Sequence, residues 1–347
     1  MSLQFNLLAF VGRFEPFHNG HAGVVRYGLS LSDKVIVLVG SSRGSRSIRN
    51  PFNYKERVDL ITLGLTPSEV ERVIIAGIPD FHDNSAWAAY VEQIVRQYAA
   101  PAARIGYLGH RKDESSDYLN LFPAGLVEAP NFSGIDATDI RADFFGNNAE
   151  LLPDYPMTPA ARDALAKFSG TTAYTDLQEE WQDVIDFRAP YLGLPYEPAW
   201  LTGDAVVRVD GKILMIRRGK APGKGQWALP GGFVERHELF LTAALRELSE
   251  ETLICFDRTV LAGRTPKAYL QTCLKAEIGS DYPYRSVRGR VATRAFLFDM
   301  DQRPEVSPTA EARELGWFTP EEIIAMQESV FEDHALLVRK ITQVAQL

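Results

Sequence analysis

A chain of 347 residues, 46% apolar and 24% charged, has the make-up of a soluble globular protein with room for two domains. It holds no apolar run of membrane-spanning length, and its two cysteines are too few for a disulfide framework or a zinc site. A formal net charge of −8 argues against a nucleic-acid partner, yet leaves room for local basic pockets that take small phosphorylated ligands.

The opening stretch MSLQFNLLAFVG carries no basic leader and reads as a first strand over residues 7–11. A helix is expected from about Gly20, a buried strand over 34–40, a helix over 54–65, a strand over 73–78 and a helix over 86–98. Further strands are expected over 105–108 and 126–127. This alternation predicts a parallel, doubly wound sheet, whose ligands sit beyond the carboxyl ends of the strands. Residues 160–187 read as a helical cap, and the proline-punctuated run APYLGLPYEPAW, residues 189–200, reads as a linker. After it the pattern changes. Strands over 205–209 and 212–217 are joined by Asp210-Gly211, a strong hairpin signal. A glutamate-rich helix follows, then a strand over 292–300 and a last helix from about Pro320 with a break near Glu328. Cys255 and Cys273 lie in apolar surroundings, and both are expected in the core of a protein kept in a reducing cytoplasm.

Two constellations carry chemistry. The first strand ends in GRFEPFHNGH, residues 12–21, with His18 and His21 three apart at the mouth of a helix. Gly20 allows close backbone approach, and a helix N-terminus offers free N–H groups to an anion. The second is GFVERHELFLTAALRELSEETLI, residues 232–254. Glu247, Glu250 and Glu251 stand at i, i+3 and i+4, so all three carboxylates leave one helical face. Their repulsion, roughly a few tenths of a kcal/mol per pair, points to a hard divalent cation; the alternative is a solvated acidic face. Leu241, Ala244, Leu245 and Leu248 make the buried stripe of the same helix.

This second stretch resembles the Nudix box, G-x5-E-x7-R-E-U-x-E-E-x-G-U, at Gly232, Glu238, Arg246, Glu247, Leu248, Glu250, Glu251 and Ile254. Leu253 stands where the family has its second glycine. That glycine lets the chain leave the helix with positive φ, so a different helix exit is expected here. The resemblance implies hydrolysis of a nucleoside diphosphate linked to another group, with Glu247, Glu250 and Glu251 holding Mg²⁺ or Mn²⁺, and Glu247 and Glu251 catalytic. Glu238 and Arg246 would brace the loop against the helix. The water-activating base is open between Glu247 and the later Glu311 or Glu314, and the last two are also readable as a surface acidic loop.

GRFxPxHxGH is similar to the signature of the nicotinamide mononucleotide (NMN) adenylyltransferase branch of the HxGH nucleotidyltransferases. Their second motif, ISSTxxR, has its counterpart at Ile135–Arg141, where Thr138 and Arg141 match and Asp136 and Ala137 replace two serines. Thr138 alone also reads as a helix N-cap. The resemblance implies adenylyl transfer from ATP to NMN, giving NAD and pyrophosphate. His18, His21 and Arg141 would contact the triphosphate, and Gly12, Arg13, Phe14, Gly20 and Thr138 would line the nucleotide. Arg43, Arg46, Arg49 and Arg57 form a basic loop, readable as solvated or as a phosphate-facing lid. Asp80 and Trp87 could frame the nicotinamide, with ordinary core packing the alternative for Trp87. Residues 109–122 share the same likeness without assignable roles.

Together the halves resemble the bifunctional NMN adenylyltransferase and ADP-ribose pyrophosphatase family. The fold class implied is α/β: an N-terminal doubly wound, Rossmann-like nucleotidyltransferase domain over residues 1–188 and a C-terminal α/β/α Nudix domain over 201–347. Arg285 and Arg288, in the stretch after the box, could meet substrate phosphates, with exposed surface arginines the alternative. The implied ligands are ATP, NMN, NAD and ADP-ribose, with no membrane partner and the oligomeric state, including a homo-oligomer, open. Two alternatives remain: transfer to another small phosphate acceptor, and a Nudix half that senses nucleotides without hydrolysing them.

Overall fold

The computed structural model describes residues 3–110, 114–122, 125–132, 134, 136–146 and 154–345. Ile135 of the second transferase motif and part of the 109–122 stretch lie outside them. The chain divides into two compact units, Met1–Trp181 and Gln182–Leu347. Among the described residues no helix is long and apolar enough to cross a membrane.

The first unit runs β1 (Phe5–Gly12), α1 (Asn19–Leu31), β2 (Ser32–Val39), α2 (Tyr54–Leu63), α3 (Pro67–Val70), β3 (Val73–Gly77), α4 (Asn84–Tyr98), β4 (Ile105–Gly109), β5 (Leu126–Glu128), α5 (Ala137–Phe145), α6 (Pro159–Phe168) and the start of α7 (Thr172–Arg188), whose residues from Gln182 on belong to the second unit. Five strands pair in the order β3-β2-β1-β4-β5, all parallel. Phe10 sits opposite Val37 of β2 and Leu108 of β4, so β1 is the central strand. Chain order reverses on its two sides, which makes its carboxyl end the place where a doubly wound sheet opens a ligand crevice. Leu7, Ala9 and Val11 of β1 pack with Val91 and Val95 of α4 in one buried cluster. The segment expected to be helical over 160–187 forms two helices, α6 and α7. Gly170 interrupts it, and the hydroxyl of Thr171 caps the restart by accepting the Tyr174 N–H at 3.2 Å.

The second unit holds β6 (Ala199–Val209), β7 (Lys212–Arg218), β8 (Trp227–Ala228), β9 (Gly231–Phe233), α8 (Phe240–Thr252), α9 (Arg258–Leu261), α10 (Pro266–Thr272), β10 (Leu274–Ser280), β11 (Arg290–Met300), β12 (Ala312–Phe318), α11 (Pro320–Ala325) and α12 (His334–Val344). The main sheet runs β10-β11-β6-β7-β12, with β8 on β7 and β9 on β6. Only β11 and β6 pair in parallel among these strands. Side chains alternate between two cores. Ala205, Val207, Val209, Phe296 and Phe298 pack with Ala244, Leu245 and Leu248 of α8. Val206, Met215, Ala295 and Leu297 pack with Leu337, Val338 and Ile341 of α12. The glutamate helix is thus clamped on one sheet face by its apolar stripe. Cys273 is buried as expected, whereas Cys255 is exposed, because it follows the helix exit on an isolated bridge to Glu305.

Candidate active sites

In the first unit the carboxyl end of β1 folds tightly back. Phe14 takes φ 56° and buries its ring beneath Gly12, where a Cβ would lie 2.8 Å from the ring. The chain then enters α1 through a reciprocal cap made of two histidines. The Nδ1 of His18 accepts the Gly20 N–H at 3.1 Å, and the Nδ1 of His21 accepts the His18 N–H at 3.3 Å. A ring nitrogen that accepts carries no proton, so each neutral ring bears its N–H on Nε2. The two ring centroids are 3.8 Å apart. His21 also lies among Phe10, Phe14 and Phe17. Its burial, followed by the charge of His18, pushes its pKa well below the ordinary 6.5.

The second motif meets the first directly. Arg141 of α5 is buried and donates from Nη1 to the Glu15 carbonyl at 2.6 Å and from Nη2 to Thr138 Oγ1 at 3.2 Å. The N-cap of α5 is Asp136, which accepts the Thr138 N–H at 3.0 Å, so Thr138 lies inside the first turn and braces Arg141. Burial pushes Arg141 down to about 10, and the charges of Arg13 and Arg49 push the same way. The carboxylates of Glu15 and Asp136 pull it the other way.

Other positions in this unit sort differently. Asp80 accepts the hydroxyl of Ser41 at 2.8 Å beside the same strand ends. Trp87 packs edge-on to Tyr118 and against Phe122 at 5.8 and 5.9 Å, which gives it a packing role. The basic loop is neither wholly solvated nor wholly a lid. Arg46 pairs with Glu56 at 2.8 Å and lies 5.4 Å over the Phe168 ring. Arg57 is fully buried, paired with an equally buried Glu15. Sequence reasoning missed that pair. The one signal available was Arg57 sharing a helical face with Leu60 and Ile61.

In the second unit the Nudix-like loop and helix lock through one arginine. Arg246 reaches Glu238 with Nε and Nη2 at 3.1 and 3.0 Å, Glu247 at 2.8 Å, Glu250 at 3.1 Å and the Phe233 carbonyl at 3.0 Å. A Cβ at Gly232 would sit 2.2 Å from Glu247 Oε1, so a larger residue there would require the Glu247 carboxylate to move. Glu251 is buried and accepts the Gly231 N–H at 3.0 Å. Burial raises its carboxyl to about 8, and Glu247 and Glu311 add to the rise. Glu247 is raised too, again chiefly by burial.

Leu253 corrects the expectation of an altered helix exit. It takes the left-handed conformation itself, φ 46° and ψ 36°, and its N–H closes on the Ser249 carbonyl at 3.0 Å. The exit keeps the geometry that a glycine there allows, at a steric cost of roughly 1–2 kcal/mol.

The late glutamates separate. Glu311 acts electrostatically on both Glu247 and Glu251, although its side chain pairs with Lys220 at 2.7 Å. Glu314 pairs with Arg217 at 2.9 Å, on the exposed side of β12. Gly219 seats the Glu311 loop: its N–H donates to the Glu311 carbonyl at 2.8 Å, and a Cβ would be 2.5 Å from the Ala310 carbonyl. Arg285 is not a surface phosphate contact, because it is buried against Asp333 at 2.9 Å. Arg288 lies over the rings of Phe233 and Phe187 at 5.0 and 5.8 Å. Missed from sequence were Arg218, whose charge acts on Glu251, and Asp204, a buried carboxylate inside β6.

Among the described residues no three side chains close into a ready ligand set for a metal ion, since Glu247 and Glu250 lean on Arg246. The donors nevertheless fit a hard cation. The Glu247 carboxylate raises that of the buried Glu251, and a divalent ion between the two would offset that repulsion.

Comparison with known proteins agrees with both halves. A family model described as NUDIX domain matches residues 202–341, and one described as Cytidylyltransferase-like matches residues 9–77. The chain is 30% identical over 181 residues to the nicotinamide/nicotinic acid mononucleotide adenylyltransferase of Acinetobacter baylyi, a match covering 52% of this chain and 95% of that protein. It is 38% identical over 146 residues to the nicotinamide-nucleotide adenylyltransferase of Saccharolobus solfataricus, covering 42% of this chain and 83% of that protein. A solved bifunctional NMN adenylyltransferase/ADP ribose pyrophosphatase from Francisella tularensis, complexed with AMP and a Mn ion, superposes with a TM-score of 0.86 at 30% identity. That match covers 98% of this chain and 99% of that one. With both units and nearly the full length in common, the chain belongs to the bifunctional NMN adenylyltransferase/ADP-ribose pyrophosphatase family.

Proposed function

We propose that residues 1–188 transfer AMP from ATP to NMN and that residues 201–347 hydrolyse ADP-ribose to AMP and ribose 5-phosphate. The observation that carries the first half is the bond from Arg141 to the Glu15 carbonyl, which joins two motifs 126 residues apart into one anion site. A phosphate oxygen of NMN attacks the α-phosphorus of ATP, and the bond to the pyrophosphate leaving group breaks. No covalent enzyme intermediate is needed, so this chain's part is positioning and charge. His18 and His21 donate Nε2–H to the phosphates, Arg141 and Arg13 supply fixed positive charge, and the Gly20 turn admits the nucleotide backbone. Asp80, beside Ser41, lines the same crevice.

In the second half Glu247, Glu250 and Glu251 hold Mg²⁺ or Mn²⁺, which when bound neutralises diphosphate charge and acidifies a water. Arg246 and Glu238 keep the loop on the helix. Glu311 accepts the proton of the attacking water, a role its placement near Glu247 and Glu251 favours over Glu314.

Purified protein is incubated with ATP and a panel of phosphate acceptors, and separately with ADP-ribose with and without divalent cation. NAD from NMN, and cation-dependent AMP from ADP-ribose, are expected. NAD formed from no acceptor in the panel would sink the first half. ADP-ribose bound without hydrolysis would replace the second half with a sensor.

A further inference from the structure

Arg57 and Glu15 are each 1% exposed, so Arg57 is neither the solvated nor the phosphate-facing arginine that the basic loop suggested. Burying two charges is expensive, and a buried pair is weak evidence of added stability. The geometry shows what Arg57 does with its donors. Nη1 donates to the Gly40 carbonyl at 2.6 Å and the Arg13 carbonyl at 3.2 Å, and Nη2 donates to the Ser41 carbonyl at 2.9 Å. Nε lies 3.2 Å from Glu15 Oε1, an ion pair without the alignment of a hydrogen bond. Those three carbonyls lie at the carboxyl ends of β1 and β2. Each end carries a non-glycine residue in the left-handed region, Phe14 at φ 56° and Ser41 at φ 48°. Such residues cost on the order of 1–3 kcal/mol each and persist only where the surroundings hold them. Glu15 completes the frame. Its Oε2 accepts the Phe52 N–H at 3.1 Å, and its carbonyl accepts Arg141. One buried pair therefore touches the first motif, the β2 turn, the basic loop and the second motif.

We propose that Arg57 and Glu15 are the positioning pair of the transferase site, holding the two strained strand-end turns in the shape that receives the nucleotide phosphates. This rests on the transferase reading of the first unit. The groups facing Glu15 are Arg57 of α2, Arg141 of α5, Arg13 after β1 and the Phe52 N–H. Burial outweighs their pull and raises its carboxyl to about 7, so its charge changes within the working pH range.

The test compares the full-length wild type with Arg57→Lys and Glu15→Gln. Lysine keeps the charge but cannot fork to three carbonyls. Arg57→Lys is expected to lower kcat/KM for transfer by ~100-fold, mostly through KM for the nucleotides, as misplacement of about an ångström does. ADP-ribose hydrolysis by the same molecules, set by the second unit, stays at wild-type rate. A purely structural role would reduce the fraction of active protein and leave KM unchanged. Glu15→Gln keeps an acceptor for Phe52 but removes the charge beside Arg57, and is expected to raise KM for the nucleotides in the same direction with hydrolysis unchanged. If Arg57→Lys fails to fold, Glu15→Gln carries the test alone. Wild-type KM for the nucleotides in folded Arg57→Lys, or in Glu15→Gln, overturns the proposal. A wild type without transferase activity would instead overturn the reading beneath it.

Discussion

The ring of His21 accepts the backbone N–H of His18 through Nδ1 at 3.3 Å, while His18 returns the favour to Gly20. The two residues that give the motif its name therefore also close the first turn of α1. His18→Ala is expected to lose about 1 kcal/mol of stability, the worth of an N-cap, and roughly 10²–10³-fold in transfer kcat, the worth of one positioned donor. Thermal unfolding and initial rates read the two effects separately. A variant that lost the cap but kept its rate would remove His18 from the chemistry.

Gly232→Ala places a methyl group onto Glu247. Hydrolysis of ADP-ribose is expected to fall by about 100-fold while transfer continues, since the displaced group is a candidate ligand held to close tolerance. Equal hydrolysis by variant and wild type would show that the contact is slack.

Leu253→Gly relieves the left-handed strain at the end of α8. The expected gain is about 1 kcal/mol, less than the full steric term because glycine loses more entropy on folding. ADP-ribose turnover is expected to stay the same. A drop in the denaturation midpoint would mean that the half-exposed leucine contributes more by packing than its backbone costs.

Asp204 makes stability pH-dependent. Burial raises its carboxyl to about 6 from an ordinary 3.8. Between those values the folded chain keeps a proton that the unfolded chain has released. This group's contribution therefore falls as pH rises from about 4 to about 6, by on the order of 3 kcal/mol, and stays low above that. Asp204→Asn is expected to flatten that part of the profile in denaturant unfolding of the full chain. Parallel profiles for the two proteins would reject the assignment.

The sequence carried the strong periodicities well. The apolar stripe of α8 and the strand cores over 205–209 and 292–300 lie within a few residues of expectation, because burial on a sheet leaves an alternating trace. Sequence reasoning passed over β10 and β12, the edge strands: residues 274–278 do alternate apolar and polar but over only five residues, and ARELGWF breaks its alternation at Arg313-Glu314 and again at two adjacent aromatics. The histidine motif was legible as an anion site, but its mutual capping depends on ring orientation. Arg57 and Arg285 looked like surface charge, since a buried arginine is recognisable only once its partner is placed. Leu253 misled for a related reason. Propensity sets a cost of roughly 1–2 kcal/mol, and the packing of α8 against the sheet outweighs it.

Arg246 holds carboxylates of Glu238, Glu247 and Glu250 at once. The acidic helix thus carries its own counter-ion within the chain, and its like charges are restrained before any ligand arrives. Chelation is therefore expected to stop hydrolysis while leaving the thermal unfolding midpoint nearly unchanged, unlike removal of the metal from a small zinc-dependent fold.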